Sequence, residues 1–288
     1  MITASLVKEL RDKTNAGMMD CKKALTETAG DLEAAVTWLR EKGISKAAGK
    51  ADREASEGII AARLSDDGKS GILVEVNCET DFVSRNETFV AFVDEIADTL
   101  AASDASNLEE ALKVSKGDGT IDEFVKAKVI ELGENIQLRK FERFELDGSG
   151  TIAHYIHMGG KVGVLVEVGA KEGDTAAKEE FQELVKDITL HIAAAAPKGL
   201  SSEDISSDLV EAEKDVFRAQ LNNEGKPAEI IEKIILGKIG KFFSENCLLE
   251  QAFVKDPDQK IKGLVASTGK TVGDELEIRR FVRFGLGE

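Results

Sequence analysis

Residues 58–77, GIIAARLSDDGKSGILVEVN, align without a gap on residues 150–169, GTIAHYIHMGGKVGVLVEVG, at an offset of 92. Ten of the twenty positions are identical, among them Leu73-Val74-Glu75-Val76 against Leu165-Val166-Glu167-Val168. Likeness of this kind within one chain marks an internal duplication. The offset survives into the next element, where Phe89, Val93, Ile96 and Leu100 fall on Phe181, Val185, Ile188 and Ile192. Both sets form an apolar stripe at helical spacing. Further on, GENIQLRKFERFEL (133–146) matches GDELEIRRFVRFGL (273–286) at an offset of 140. Each copy therefore reads as a strand, a turn at Gly68-Lys69 or Gly160-Lys161, a second strand, a helix and a closing strand. The predicted fold class is α+β, each copy being a small antiparallel sheet with helices on one face.

The change of offset gives the second copy about forty-eight extra residues, between a helix ending near Ala196-Pro197 and Gly273. Within them Ile205, Leu209, Val216 and Phe217 precede a break at Gly225-Lys226-Pro227, and Ile230, Ile231, Ile234 and Ile235 follow it. That pattern predicts a helical hairpin projecting from the second copy. The first fifty residues stand apart, carrying nine Lys or Arg against seven Asp or Glu, whereas the whole chain has a net charge of -16. They read as three short helices. Thr3 caps a helix with Leu6, Val7 and Leu10; a turn at Thr14-Asn15-Ala16-Gly17 precedes one with Met18, Cys21, Ala24 and Leu25. Gly30-Asp31 opens a third, with Leu32, Ala35, Val36 and Leu39, ended by Gly43. The predicted organisation is a three-helix unit over 1–50, joined through a linker at Ser45–Glu57 to a core unit over 51–147. A second core unit spans 148–196 and 237–288, interrupted by an antiparallel helical hairpin over 197–236.

Composition excludes several classes. Hydrophobic residues make up 42 % of the 288-residue chain, enough to bury a core. The acidic balance of 54 Asp and Glu against 38 Lys and Arg argues against direct nucleic-acid binding. No apolar run approaches the roughly 18 residues of a membrane span, and the N-terminus lacks an apolar signal core. Cys21, Cys78 and Cys247 are far apart and show no metal-ligand spacing. The expected compartment is the cytoplasm.

Two motifs invite chemistry and fail its demands. Gly269-Lys270-Thr271 resembles the end of a phosphate-binding loop, but the nearest upstream glycine, Gly263, leaves five intervening residues where the pattern needs four. His154 and His157 lie three apart on a strand, which points them to opposite faces, with no third ligand nearby. No catalytic, metal or cofactor site is expected. The duplication offers a sharper test, because residues needed only for folding should have counterparts in both copies. After its second strand the first copy has Asn77-Cys78-Glu79-Thr80-Asp81-Phe82, where the second has Gly169-Ala170-Lys171-Glu172-Gly173-Asp174. Conversely, the turn Ser65-Asp66-Asp67-Gly68 is matched by His157-Met158-Gly159-Gly160. A phenylalanine in one turn, and a histidine and methionine in the other, point to a partner-binding surface. Met18 and Met19 are a third candidate, since only one of two adjacent methionines can face a three-helix core and Met is frequent at binding surfaces.

Several long stretches now resemble the elongation factor Ts family. They are TASLVKELRDKTNAGMMDCKKAL (3–25), VNCETDFVSRN (76–86), GENIQLRK (133–140), the hairpin IHMGGKVGVLV and KTVGDEL (270–276). The resemblance implies a ubiquitin-associated-like three-helix unit, a duplicated core and an inserted antiparallel coiled coil. It implies guanine-nucleotide exchange on elongation factor Tu, with no reaction catalysed and no cofactor. In that family Thr80-Asp81-Phe82, with Val83, would wedge into the nucleotide-binding domain of Tu near its magnesium site. His157, with Met158 and Gly159, would engage another domain, and Met18 and Met19 would pack on the nucleotide-binding domain. Many members carry a further C-terminal helical tail, whereas this sequence ends at Gly287-Glu288, so contacts of that tail are not carried over. Self-association through the hairpin is left open by its variable register. Two other classes compete: an acidic interaction scaffold without exchange activity, and a nucleotide-binding enzyme using Gly269-Lys270-Thr271.

Overall fold

A computed structural model describes residues 2–14, 16–223 and 227–288. The N-terminal helices are α1 (Ala4–Thr14), α2 (Met18–Glu27) and α3 (Leu32–Ala48). Thr3 caps α1 by accepting the Leu6 amide at 3.3 Å. Val7, Leu10, Cys21, Ala24, Leu25, Ala35 and Leu39 form the small core expected of this unit. Two expectations change here. Helix α3 runs through Gly43 to Ala48, because an interior glycine costs only about 1 kcal/mol and the following Lys-Ala-Ala favours helix. Val36 faces outward, and Asn15 of the expected turn lies outside the described residues.

The first copy then runs β1 (Glu57–Leu64), β2 (Ser70–Cys78), the one-turn helix α4 (Asp81–Ser84), α5 (Glu87–Ala101) and α6 (Leu108–Lys113). A hairpin of two-residue strands, β3 (Ser115–Lys116) and β4 (Gly119–Thr120), leads to α7 (Ile121–Leu132) and β5 (Gln137–Glu145). The second copy follows with β6 (Gly150–His157), β7 (Val162–Ala170), a 3-10 turn at Thr175–Ala177 and α8 (Glu179–Ala195). Helices α9 (Ser207–Asn223) and α10 (Ala228–Asn246) come next, then β8 (Ala252–Phe253), β9 (Asp256–Lys260), α11 (Ile261–Val272) and β10 (Leu276–Gly285). The two three-stranded sheets are antiparallel, with orders β1-β2-β5 and β10-β7-β6. The duplicated Leu-Val-Glu-Val is thus the central strand of each.

Period-two alternation divides those central strands. Ile72, Val74, Val76 and Cys78 join Phe89, Phe92, Val93, Ile96 and Leu100 of α5 in one core. Val164, Val166, Val168 and Ala170 join Phe181, Leu184, Val185, Ile188 and Ile192 of α8 in the other. The opposite faces pack sheet against sheet through Ile60, Leu73, Phe144, Ile152, Leu165 and Phe284. Glycine permits the approach. A Cβ on Gly71 would lie 2.9 Å from Ile152 and 3.0 Å from Leu165, and one on Gly163 would lie 2.8 Å from Leu73. Glu75 and Glu167 point the same way as the leucines and are buried. Lys140 Nζ lies 2.9 Å from Glu75, while Arg280 and Arg279 reach Glu167 at 2.7 and 3.2 Å.

The two copies meet reciprocally. Ile60 N donates to Gly160 O at 2.8 Å, and Ile152 N donates to Gly68 O at 2.9 Å. Gly287 N donates to Glu75 at 3.3 Å, and Asp147 N to Glu167 at 3.1 Å. Each contact is its partner's image under the sequence offsets, so a pseudo-two-fold axis relates the halves. Helices α9 and α10 stand outside this arrangement with their own core of Leu221, Ile231, Ile235 and Ile239. Gly225 and Lys226 of the expected break lie outside the described residues. Among the described residues no helix is long and apolar enough to cross a membrane.

Candidate partner-docking surface

Phe82 is presented on a turn built to hold it still. Thr80 caps α4, its hydroxyl oxygen accepting the Val83 amide at 3.4 Å. Cys78 Sγ donates to Thr80 O at 3.3 Å from beneath. Burial, aided by the Glu134 charge, pushes the Cys78 thiol up to about 12, so it stays protonated at neutral pH. Asp81 pairs with Arg85 at 3.2 Å across the turn, and Val83 packs on the first core. The Phe82 ring itself is 85 % exposed. In the second copy a 3-10 turn occupies the same place, with Asp174 at its start and Thr175 buried.

The hairpin turn of the second copy is held in an unusual backbone. Met158, Gly159 and Gly160 adopt φ values of 50°, 66° and 94°, three successive left-handed residues. That conformation costs a non-glycine residue about 1 kcal/mol, so Met158 is strained. Its side chain is 69 % exposed. His157 is exposed beside it, with Nδ1 2.9 Å from the Tyr155 hydroxyl, a partner the sequence did not signal. Gly160 touches Ile59 and Ile60 of β1, where a Cβ would lie 2.8 Å from the Ile59 side chain.

This contact brings the two divergent turns to one end of the molecule. Lys161, just past the tip, lies 3.7 Å from Glu57 at the start of β1. Glu57 pairs with Cys78, two residues before Thr80. By the pseudo-dyad, the opposite end combines Ser65-Asp66-Asp67 of the first copy with Glu172 and Asp174 of the second. One end therefore displays Phe82, His157 and Met158, and its image displays carboxylates. Exposed apolar side chains on two turns at one end of an otherwise acidic protein fit a protein partner.

Met18 and Met19 are both exposed, not one in and one out, because Gly17 starts α2 and the core face begins at Cys21. The linker ties their unit to the Phe82 turn. Asn135 Nδ2 donates to Ala51 O at 3.3 Å and to Arg53 O at 2.7 Å. Asn135 N donates to Glu79 Oε1 at 2.6 Å.

Gly269-Lys270-Thr271 lies in the last turns of α11, without the strand-loop-helix setting of a phosphate cradle. His154 and His157 have no metal-ligand neighbours; among the described residues no group of three His, Cys, Asp or Glu could hold an ion. His191 is instead a satisfied core histidine, its Nε2 3.0 Å from Gln251 and its Nδ1 accepting the Val254 amide at 3.3 Å.

Comparison with known proteins agrees with the resemblance. A family profile described as "Elongation factor TS" matches residues 79–288. The chain is 48 % identical to Elongation factor Ts of a Clostridium perfringens strain, covering all of this chain and 94 % of that protein. It is 46 % identical to Elongation factor Ts of a Nitratiruptor species and 44 % identical to that of Trichlorobacter lovleyi, in each case over the whole chain and 93 % of the relative. With the duplicated α+β core and the N-terminal helices in place, the match over its full length shows that the chain belongs to the elongation factor Ts family.

Proposed function

We propose that this protein is a guanine-nucleotide exchange factor that binds elongation factor Tu in the cytoplasm and promotes GDP release, so that GTP can enter during translation elongation. The supporting observation is Phe82, a solvent-facing ring on a capped, one-turn helix, replaced by an aspartate in the duplicate. Burying such a ring against a partner contributes about 2–3 kcal/mol, provided the partner can open a place for it.

In this reading Thr80, Asp81, Phe82 and Val83 enter the nucleotide-binding domain of Tu near its magnesium and phosphate site. His157, Met158 and Gly159 engage a second domain, and Met18 and Met19 add contacts on the first. Magnesium demands near-ideal octahedral geometry, so a small displacement of the elements around it weakens nucleotide binding steeply. The factor favours empty Tu over GDP-loaded Tu. By reciprocity, the free energy by which it weakens GDP equals that by which GDP weakens it. No bond is made or broken, and the protein holds no nucleotide itself.

The test is release of fluorescent GDP from a bacterial Tu with substoichiometric amounts of this protein. Each molecule is expected to discharge many Tu·GDP complexes. Release at the spontaneous rate would leave only an interaction scaffold.

A further inference from the structure

Glu134 follows Gly133, the left-handed residue that ends α7, and turns its carboxylate back beneath the Phe82 turn. Oε2 accepts the Glu79 amide at 3.0 Å and the Thr80 amide at 3.1 Å. Oε1 accepts the Thr80 hydroxyl at 2.6 Å. Because that hydroxyl gives its proton to Glu134, its oxygen lone pairs are left facing the Val83 amide that it caps. The start of α4 is thus set by an acid 54 residues away in sequence. Glu79 and Asn135 extend the clamp to the linker, through Asn135 N on Glu79 and Asn135 Nδ2 on the Ala51 and Arg53 carbonyls.

The duplicate provides a contrast within the same molecule. Asp274, one methylene shorter, stands at the position of Glu134 and accepts the Glu172 amide, the image of the Thr80 amide, at 3.0 Å. Its other oxygen accepts the amide of its neighbour Glu275. The joint is kept in both copies, Asp274 also bonding Thr175, and the longer acid, which takes the hydroxyl of the capping residue itself, occurs where a ring is presented.

We propose that Glu134 is a positioning residue for exchange, fixing the direction in which Phe82 projects; this rests on the exchange reading above. A single helical turn does not hold itself, since helix nucleation is unfavourable. Hydrogen bonds to the two amides that lead into it and to the hydroxyl that caps it supply what the turn lacks. A ring held ready enters its site without first losing conformational freedom, so the loss on releasing it falls on the rate within the complex.

The experiment compares E134A, E134Q, E134D, F82A and the double variant E134A/F82A in the full chain, by fluorescent GDP release from Tu at saturating and subsaturating concentrations. E134A is expected to lower the saturated rate on the order of tenfold while changing the half-saturating concentration less than about threefold. E134Q keeps all three contacts, its carbonyl taking both amides and its NH2 donating to Thr80, and is expected within about twofold of the unsubstituted protein. In the F82A background, E134A is expected to have no further effect, because it acts through the missing ring. Should E134A fail to fold, E134D carries the same comparison, with an intermediate rate that disappears once Phe82 is gone. An unchanged rate in E134A or E134D, an E134Q as slow as E134A, or full additivity with F82A would overturn the proposal. F82A exchanging at the unsubstituted rate would instead remove the role given to the ring, a separate failure read from the single variant.

Discussion

Phe82 and Phe89 are close in sequence and have opposite environments, one projecting into solvent and the other sealed between α5 and the sheet. Truncating them should therefore separate function from folding. Phe89→Ala is expected to cost about 3–5 kcal/mol in denaturant unfolding, as core phenylalanines do. Phe82→Ala should stay within about 0.5 kcal/mol of the parent, since exposed positions rarely exceed that. Its exchange efficiency should nevertheless fall roughly 30-fold, the equivalent of about 2 kcal/mol for an interface anchor. A marked stability loss in Phe82→Ala, or unchanged exchange, would refute this assignment. A contribution to acid sensitivity is expected from a different residue, His191, whose imidazole burial holds below its ordinary value against the smaller opposing pull of Gln251. The neutral ring accepts the Val254 amide, which the protonated ring cannot do. Its folded value lies below an unfolded value near ~6.5, so the folded state binds fewer protons between the two. The stability it supports is full above about pH 6.5 and is lost as pH falls toward the folded value. Stability to heat should decline more steeply between neutral and mildly acid pH in the parent than in His191→Gln; equal slopes would reject the assignment. The exposure of Phe82 was legible in the sequence because its duplicate is Asp174. Glu134 was not, since its three hydrogen bonds reach residues distant in sequence, and the acid it shares with the second copy resembles a folding requirement.

At the scale of elements, the strands and the paired helices α5 and α8 followed from period-two and helical patterns repeated in both copies. Sheet-on-sheet packing did not, because Leu73 and Glu75 alternate with the valines as solvent-facing residues also would. Only Gly71 and Gly163 hint that something approaches closely. Helix α3 outran its expected end at Gly43, since tertiary contact with α7, including the Arg40–Glu123 pair at 2.5 Å, supports the longer helix. The α9–α10 hairpin has its own core, while Ile205, Phe242 and Cys247 form a separate cluster at its base. Replacing residues 212–240 with a short Gly/Ser linker keeps that base, and loop closure adds little cost. The shortened protein should unfold in one cooperative transition by circular dichroism and calorimetry. A molten product would show that the hairpin is required to build the second core.

For the whole molecule, the reciprocal contacts predict where coupling between halves is carried. Glu167 holds Arg279, Arg280 and the Asp147 amide at the interface. Glu167→Ala should cost about 2 kcal/mol, below the usual range for breaking a buried pair because both arginines can reach solvent. Denaturant unfolding measures it, and a change within about 0.5 kcal/mol, as surface substitutions give, would remove Glu167 from the interface account. Deleting residues 1–48 leaves Lys50, Ala51 and Arg53 in place against Gly133 and Asn135. That truncation should raise the half-saturating concentration for exchange while preserving a measurable saturated rate. A well-folded truncation inactive at saturation would show that the N-terminal helices take part in the exchange step.

The reciprocity of Ile60 with Gly160 and of Ile152 with Gly68 has the form of an isologous contact, the kind that closes a two-fold homodimer. Only residues 146–149 separate β5 from β6, so the halves are held at high effective concentration and need no association step. In a dimer of identical chains, every substitution would appear at both ends. Here a ring can be gained at one end and a carboxylate kept at the other. With docking at the Phe82 end as proposed, covalent fusion turns a symmetric pair of ends into a single-valent one, which can release its partner without a second grip.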